Sequence, residues 1–205
     1  MLTPKGAATR KRIVEAAASL IRERGVAETG LDDIGAATAT SKSQMFHYFP
    51  GGKSDLLHAV AVHEAQQVIE DQQPYLGDLT NWRKWQAWRT LVIDKYEAQR
   101  DRCPLTALTS QLGKATPVTR EIVSNLYDRW HEYLAAGVQA SKASGDIDPS
   151  TDVDATATSI LAAVQGGVLM LQVTDRINYL ETALDKALDA IRPSLARTAG
   201  GPRRG

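Results

Sequence analysis

The chain has 205 residues, of which 43% are hydrophobic and 23% are charged, and its formal net charge is zero. This composition excludes a disordered chain, and the length suffices for one sizeable core with a small appended module. The single cysteine excludes an internal disulfide framework and indicates a reducing compartment. Because no basic start precedes an apolar run, no signal peptide is predicted and we expect a cytoplasmic protein.

The charge of this neutral chain is unevenly distributed. Residues 1–60 carry 8 Lys/Arg against 6 Asp/Glu, and residues 61–191 carry 12 against 18. Residues 192–205 carry four arginines and no acid. A mildly basic head joined to an acidic body suits a protein whose N-terminal end meets a polyanion.

Helical periodicity runs through nearly the whole chain. In the first segment, apolar residues starting at Ile13 recur at i, i+3, i+4, i+7 and i+8, which places them on one helical face. Comparable spacings, bounded by turn residues, predict helices over about 9–24, 30–38, 41–49, 54–71, 80–100, 105–112, 122–145, 152–174 and 176–195. No alternating run of β-branched residues predicts a strand. The predicted fold class is therefore all-α, with about nine helices.

Capping residues mark the starts of the first three helices. Thr9 is the expected N-cap of the first helix. Thr29 and Asp32 have the spacing of a capping box before the second helix. Either Thr40 or Ser41 caps the third helix, so the sequence leaves two starting points for it.

One stretch, residues 155–174, has no charged side chain and is about long enough to span a bilayer. Six polar residues interrupt it: Thr156, Thr158, Ser159, Gln165, Gln172 and Thr174. We therefore expect a helix buried inside a soluble protein or a subunit interface rather than a membrane span.

A long helix followed by two short helices with a tight turn is the arrangement of a helix-turn-helix module. Its sequence is marked by Thr29, Asp33-Ile34, Ser41-Lys42-Ser43-Gln44-Met45-Phe46-His47-Tyr48-Phe49-Pro50, Lys53 and Leu56-Leu57. This pattern resembles the TetR family of transcriptional regulators over about residues 9–60. In the body, the family resemblance rests on Cys103-Pro104-Leu105 and Gln165-Gly166-Gly167, which look like the LmrA/YxaF-like branch.

The resemblance implies a domain organisation. A DNA-binding domain over 9–53 would follow a flexible arm over 1–8. A helical ligand-binding and dimerisation domain would occupy 54–198, and residues 199–205 would form a disordered basic tail.

The third helix carries side chains suited to a DNA groove. Lys42 supplies a cation for a phosphate or a guanine edge, and the Gln44 amide matches an adenine edge. Ser43 is small enough to let the backbone approach the bases, whereas His47 reaches the sugar–phosphate chain. The residues expected to contact DNA are Thr29, Ser41, Lys42, Ser43, Gln44, Phe46, His47, Tyr48 and Lys53.

Some positions depart from the family pattern. The family's turn glycine aligns with Ala39, so the turn must avoid a positive φ or carry strain. The usual tyrosine aligns with Phe46, which has no hydroxyl for a phosphate, and one extra residue precedes Lys53. Met45 and Phe49 are expected to pack inward.

Aromatic residues at helical spacing in the body predict either core packing or the lining of an apolar cavity. Core packing is the default for each residue alone, and the family resemblance implies a small-molecule pocket. The candidate lining is Trp82, Trp85, Trp88, Tyr96, Leu108, Tyr127, Trp130 and Gln165, and the expected effector is apolar or aromatic. Cys103 is expected to be a buried, inert thiol, because a redox sensor would need exposure and a lowered pKa.

Two segments favour self-association. Small residues in the uncharged stretch allow close helix approach, and the last helix has its own apolar stripe, which together suit a two-fold four-helix interface. The expected interface residues are Ala163, Gly166, Gly167, Met170, Ile177, Leu180, Leu184 and Ile191.

These features predict a ligand-responsive homodimeric repressor that binds a palindromic DNA operator and is released by a small apolar molecule. The alternative is a DNA-binding activator or architectural regulator without an effector. An enzyme is not expected, because no phosphate loop or nucleophile elbow is present, and His58 and His63 lie off one helical face. No cofactor or metal is expected.

Overall fold

The computed structural model describes residues 3–104, 107 and 117–193. All regular structure of these residues is helical, which confirms the predicted fold class. The predicted helix over 105–112, with Leu108, and the predicted tail over 199–205 lie outside the described residues. The described α-helices are α1 (Pro4–Arg24), α2 (Leu31–Thr38), α3 (Lys42–Tyr48), α4 (Lys53–Glu70), α5 (Trp82–Gln99), α6 (Pro117–Ala143), α7 (Val153–Thr174) and α8 (Asn178–Leu188).

The chain divides into two compact units. The head unit comprises Met1–Asp71 and Gln99–Asp128, and the body unit comprises Gln72–Ala98 and Arg129–Gly205. This division differs from the predicted boundary after residue 53, because α4 packs against α1 and so belongs to the head unit.

Helix α1 begins five residues earlier than predicted. Thr3 is its N-cap and accepts a hydrogen bond from the Gly6 N–H at 3.2 Å, and Pro4 occupies the first turn, where its missing N–H costs nothing. Thr9 lies inside the helix and donates its hydroxyl to the Lys5 carbonyl at 3.0 Å. The expected flexible arm is therefore helical from Pro4 onward.

In the head unit, α1 packs against α2 and α4, and α2 packs against α3. Apolar side chains from all four helices form its core: Ile13, Val14, Ala17, Ile21, Ile34, Met45, Phe49, Leu56 and Val60. An ion pair between Arg22 and Glu64 joins α1 to α4, and the Glu64 side chain is fully buried. Burial raises the pKa of the Glu64 carboxyl, and the adjacent Arg22 guanidinium opposes part of that rise.

In the body unit, the closest helix pair is α7 with α8. A Cβ atom at Gly167 would lie 2.5 Å from the Leu180 Cα atom, so only glycine permits this approach. Helix α5 is tied to α8 by Arg89, whose Nε and Nη2 atoms donate to the Asp185 carboxylate at 2.7 and 2.8 Å. Such bidentate geometry fixes both side chains.

Candidate DNA-binding surface

The turn between α2 and α3 is a Schellman motif. The Thr40 N–H donates to the Gly35 carbonyl at 2.9 Å, and the Ala39 N–H donates to the Ala36 carbonyl at 3.4 Å. Ala39 adopts φ 49° and ψ 41°, which is the left-handed conformation. The turn therefore carries the strain that the replaced glycine would avoid. A Cβ atom at Gly35 would lie 2.9 Å from the Thr40 carbonyl oxygen, so this glycine lets the turn close.

The start of α3 is a reciprocal capping box. The Ser41 hydroxyl accepts from the Gln44 N–H at 3.3 Å, and the Ser41 N–H donates to Gln44 Oε1 at 3.1 Å. Ser41, rather than Thr40, is thus the N-cap. The Gln44 amide is predicted to pair with an adenine edge through both of its polar atoms. Because Gln44 Oε1 already accepts from the Ser41 N–H, only the Nε2 group is a free donor. Bidentate pairing with adenine would require Oε1 to accept from the base and from Ser41 at the same time.

The start of α2 corrects two expectations. The Gly30 N–H donates to Asp33 Oδ2 at 2.8 Å, so Asp33 rather than Asp32 is the capping acid, and Gly30 has no side chain that could complete a capping box. Thr29 is only 2% exposed, and its hydroxyl donates to the Gly25 carbonyl at 2.8 Å. Its side chain therefore stabilises the end of α1 and is not available at the surface for DNA.

Lys53 also has an intramolecular role. Its ammonium group donates to the Val26 carbonyl at 2.8 Å and is half-buried, which holds the loop after α1 against the start of α4. The ammonium group has two further N–H donors, so the predicted phosphate contact of Lys53 stays a prediction.

The other predicted contact residues lie on the outer face of α3 and its cap. Met45 and Phe49 are 2% and 1% exposed, so their predicted inward packing is confirmed. Phe46 is 44% exposed, although it is wholly apolar. Tyr48 is half-buried, and the remaining members of the exposed set are Ser41, Lys42, Ser43, Gln44 and His47.

A groove that the sequence did not predict lies beside this face. It has a volume of about 520 Å³ and separates the first turns of α1 from α3. It is lined by Thr3, Lys5, Gly6, Thr9, Arg12, Ala39, Gln44, His47 and Tyr48. The sequence signal for the start of its α1 wall is Thr3-Pro4 followed by Lys5, within the segment 1–8 that is predicted to be a flexible arm, whereas Thr9 and Arg12 lie in the predicted helix.

The body tryptophans are mostly core residues. Trp85 and Trp88 are fully buried and stack edge to face, with ring centroids 5.8 Å apart. Their indole N–H groups donate to Ser141 Oγ at 3.3 Å and to Gln72 Oε1 at 2.9 Å. Both side chains are satisfied within the body unit, and this corrects the expectation that they line a ligand cavity.

The rest of the predicted pocket lining does not form one set. Trp82 is covered by the Arg192 guanidinium at 5.7 Å from its ring centroid, and Tyr96 is 6% exposed. Tyr127 belongs to the head unit, where burial raises the pKa of its phenol. Trp130 is fully buried, and its Nε1–H has no acceptor among the described residues. Gln165 is partly exposed on α7.

Half of the predicted interface residues are packed inside the body unit. Gly167, Leu180, Leu184 and Ile191 are buried within their own chain, which corrects their assignment to a subunit contact. Ala163 and Ile177 are partly exposed. The outward stripe of α7 contains the predicted Gly166 and Met170, and its other members are Ala155, Ser159, Ala162, Leu169 and Val173. Leu169 and Val173 are 60% and 77% exposed, and nothing lies within 4 Å of a Cβ atom at Gly166.

Two further expectations concern single features. Cys103 is fully buried, as predicted for an inert thiol. Among the described residues, α7 alone is long and apolar enough to cross a membrane by length and composition. Core helices of globular proteins pass the same test, and α7 packs against α8.

The capped helices, the Schellman turn and the exposed polar face of α3 define a helix-turn-helix DNA-binding protein of the regulatory class. Residues 13–60 match the family model described as bacterial regulatory proteins, tetR family, and residues 84–187 match the tetracyclin repressor-like C-terminal domain. The chain therefore belongs to the TetR family of transcriptional regulators.

Individual relatives agree with this assignment. An HTH-type transcriptional regulator of Mycobacterium tuberculosis is 28% identical over 184 residues, which covers 84% of this chain and 88% of the relative. A TetR transcriptional regulator from Chloroflexus aurantiacus superimposes with a TM-score of 0.76 at 27% identity, over 92% of this chain and 96% of that one. The SmeT–triclosan complex shares the fold, with a TM-score of 0.70 at 21% identity over 97% of this chain and 100% of that one.

Proposed function

We propose that this regulator is a homodimeric repressor that binds a palindromic operator and releases it when a small apolar molecule binds the body. The observation that carries the DNA part is the exposed outer face of α3, which a reciprocal capping box and a Schellman turn hold in place. In this scheme α3 enters the major groove of DNA in the cytoplasm.

The side chains of α3 divide between base reading and positioning. Lys42 and the Nε2 group of Gln44 donate to base edges, and Ser43 allows close approach. Phe46 has no polar atom, so its exposed ring suits the methyl group of a thymine. His47 contacts the sugar–phosphate chain and fixes the register of the helix.

The proposed dimer uses the outward stripe of α7 rather than the buried face of α8. Exposed Leu169 and Val173 together with the open surface at Gly166 support close packing against the same stripe of a second copy. Paired α3 helices about 34 Å apart would then read two half-sites.

The proposed effector site rests on Trp130. A buried indole N–H without an acceptor is costly, and a ligand acceptor would satisfy it. The SmeT relative is solved with triclosan, an example of a family member that holds a small aromatic molecule. The resemblance to the LmrA/YxaF-like branch points to the same effector class. An effector that prefers a different spacing of the two heads lowers operator affinity by population shift.

The test is a selection of bound fragments from the source genome, followed by fluorescence anisotropy titrations at several salt concentrations. We expect a palindromic fragment to be bound tightly over random DNA, with affinity falling steeply as salt rises. Lys42→Gln should weaken this binding, whereas Lys186→Gln, on α8, should not. If folded, dimeric protein enriches no fragment, the proposal is wrong. If the operator binds but no compound in a broad library shifts the melting temperature, the regulator without an effector is favoured.

A further inference from the structure

The groove between α1 and α3 has a basic wall that precedes residues 13–60, the segment matched by the tetR family model. Lys5, Thr9 and Arg12 line it from α1, at positions i, i+4 and i+7, and so share one helical face. His47 and Tyr48 of α3 form the opposite wall. The described residues that line the groove include no acidic side chain.

The two cations of this wall are free to bind an external anion. Among the described residues, neither Lys5 nor Arg12 has a carboxylate partner. Their neighbours on α1 are already engaged: Lys11 pairs with Glu15 at 3.7 Å, Arg22 pairs with Glu64, and Arg10 lies over the Phe49 ring at 5.2 Å.

The dimensions fit a chain of phosphates better than a small molecule. Seven residues of α-helix separate Lys5 from Arg12, a rise of about 10 Å, which matches the axial rise of about three phosphates in one DNA strand. The groove is lined mainly by polar and charged side chains. Drug-sized ligands instead prefer enclosed, mostly apolar pockets.

We propose that this groove holds the sugar–phosphate backbone of one operator strand, with Lys5 and Arg12 neutralising phosphates on the side of α3 that faces α1. The inference rests on the proposed DNA-binding function and extends it to a part of α1 outside the recognition motif. Helix α1 then positions α3 in the major groove from the flanking backbone, and these contacts carry no base sequence information.

The test compares the salt dependence of operator binding for Lys5→Gln, Arg12→Gln and the wild type. Each lost phosphate contact lowers the slope of log K against log salt by about 0.9, so each substitution lowers the slope of a dimer by about 1.8. The loss of affinity between 50 and 200 mM salt then becomes about 12-fold smaller for each substitution. Affinities for operator and random DNA should fall by the same factor, because phosphate contacts do not discriminate.

Two matched variants on the same helix distinguish the loss of a specific phosphate contact from a general effect of lower net charge. Lys11→Gln removes a paired cation. Arg24→Gln removes an exposed cation that has no carboxylate partner in the described part of the chain and lies about 18 Å of helix beyond Arg12. Both should keep the wild-type slope. Lys11 is paired with Glu15 and does not line the groove. Arg24 lies farther from the groove than about one Debye length, where exposed charges are screened. The charge-preserving Lys5→Arg should also keep the wild-type slope.

Three outcomes would overturn the inference. If the four glutamine variants lower the slope equally, the effect is one of general charge. If Lys5→Gln and Arg12→Gln keep the slope while the wild type binds its operator, the groove is empty and the proposed function stands. If the wild type binds no operator, the proposed function and this inference fail together. Circular dichroism of each variant should match the wild type, since Lys5 and Arg12 are exposed.

Discussion

Ala39→Gly should stabilise the protein, because Ala39 is held at φ 49° and ψ 41° in the turn before α3. An L-residue in this conformation costs about 1–2 kcal/mol, whereas glycine adopts it freely. Glycine also raises the conformational entropy of the unfolded chain, which offsets about 0.4–1 kcal/mol of the stability gained by relieving the strain. The Ala39 side chain is exposed, so its removal leaves no cavity. The expected net gain in the free energy of unfolding is about 0.5–1 kcal/mol.

The measurement is urea unfolding of the full chain, followed by circular dichroism, with Ala37→Gly as the matched control. Ala37 is exposed two residues earlier, inside α2, where the same substitution should destabilise by about 0.5–1 kcal/mol. The two variants should therefore shift the midpoint in opposite directions with equal slopes. If Ala39→Gly destabilises as much as Ala37→Gly, the left-handed turn carries no strain and the reasoning fails.

Three further predictions concern the α3 cap, the α7 stripe and the buried carboxyl. Gln44→Glu keeps an acceptor for the Ser41 N–H, so the melting temperature should not change. Operator affinity, measured by fluorescence anisotropy, should fall at least about tenfold, because the Nε2 donor is lost. An unchanged affinity would show that Gln44 does not contact the operator. Leu169→Glu places a charge on the outward stripe of α7, where a dimer would bury it, and should yield monomers in analytical ultracentrifugation. The control Thr90→Glu, on the exposed face of α5, should leave the protein dimeric. Burial raises the pKa of the Glu64 carboxyl above its ordinary 4.5, so the folded state binds the carboxyl proton more tightly than the unfolded state does. The contribution of Glu64 to the free energy of unfolding therefore falls as pH rises through the raised pKa. Glu64→Gln should therefore lose less stability than the wild type in urea titrations as pH rises from 4.5, and parallel curves would refute the assignment.

The sequence predicts the head unit well where local chemistry decides the structure. Helical spacing from Ile13 and the Ser41 cap locate α1 and α3, because apolar periodicity and side-chain caps act within one turn of chain. The same local rules favour Thr9 as well as Thr3 as a cap. The structure uses Thr3, which accepts from the Gly6 N–H ahead of Pro4, whereas Thr9 donates to the Lys5 carbonyl inside the helix.

The body shows why a candidate site is harder to predict than a fold. Trp85 and Trp130 have the same spacing signal and the same burial, yet one indole N–H has Ser141 as its acceptor and the other has no described acceptor. Likewise, the apolar stripe of the last helix fits a subunit contact as well as a core. Gly167 decides between them, since its missing side chain lets Leu180 pack inside the chain.

Helix α1 connects the two ends of the head unit. Its N-terminal turns form the basic wall of the groove beside α3, and its last turn holds Arg22 against the buried Glu64 of α4. A continuous α-helix of 21 residues is about 31 Å long and transmits a shift at one end to the other. Because Glu64 is buried, losing its partner would leave an uncompensated charge, so α4 and α1 are expected to move together. A displacement of α4 would thereby also displace the α1 wall of the groove.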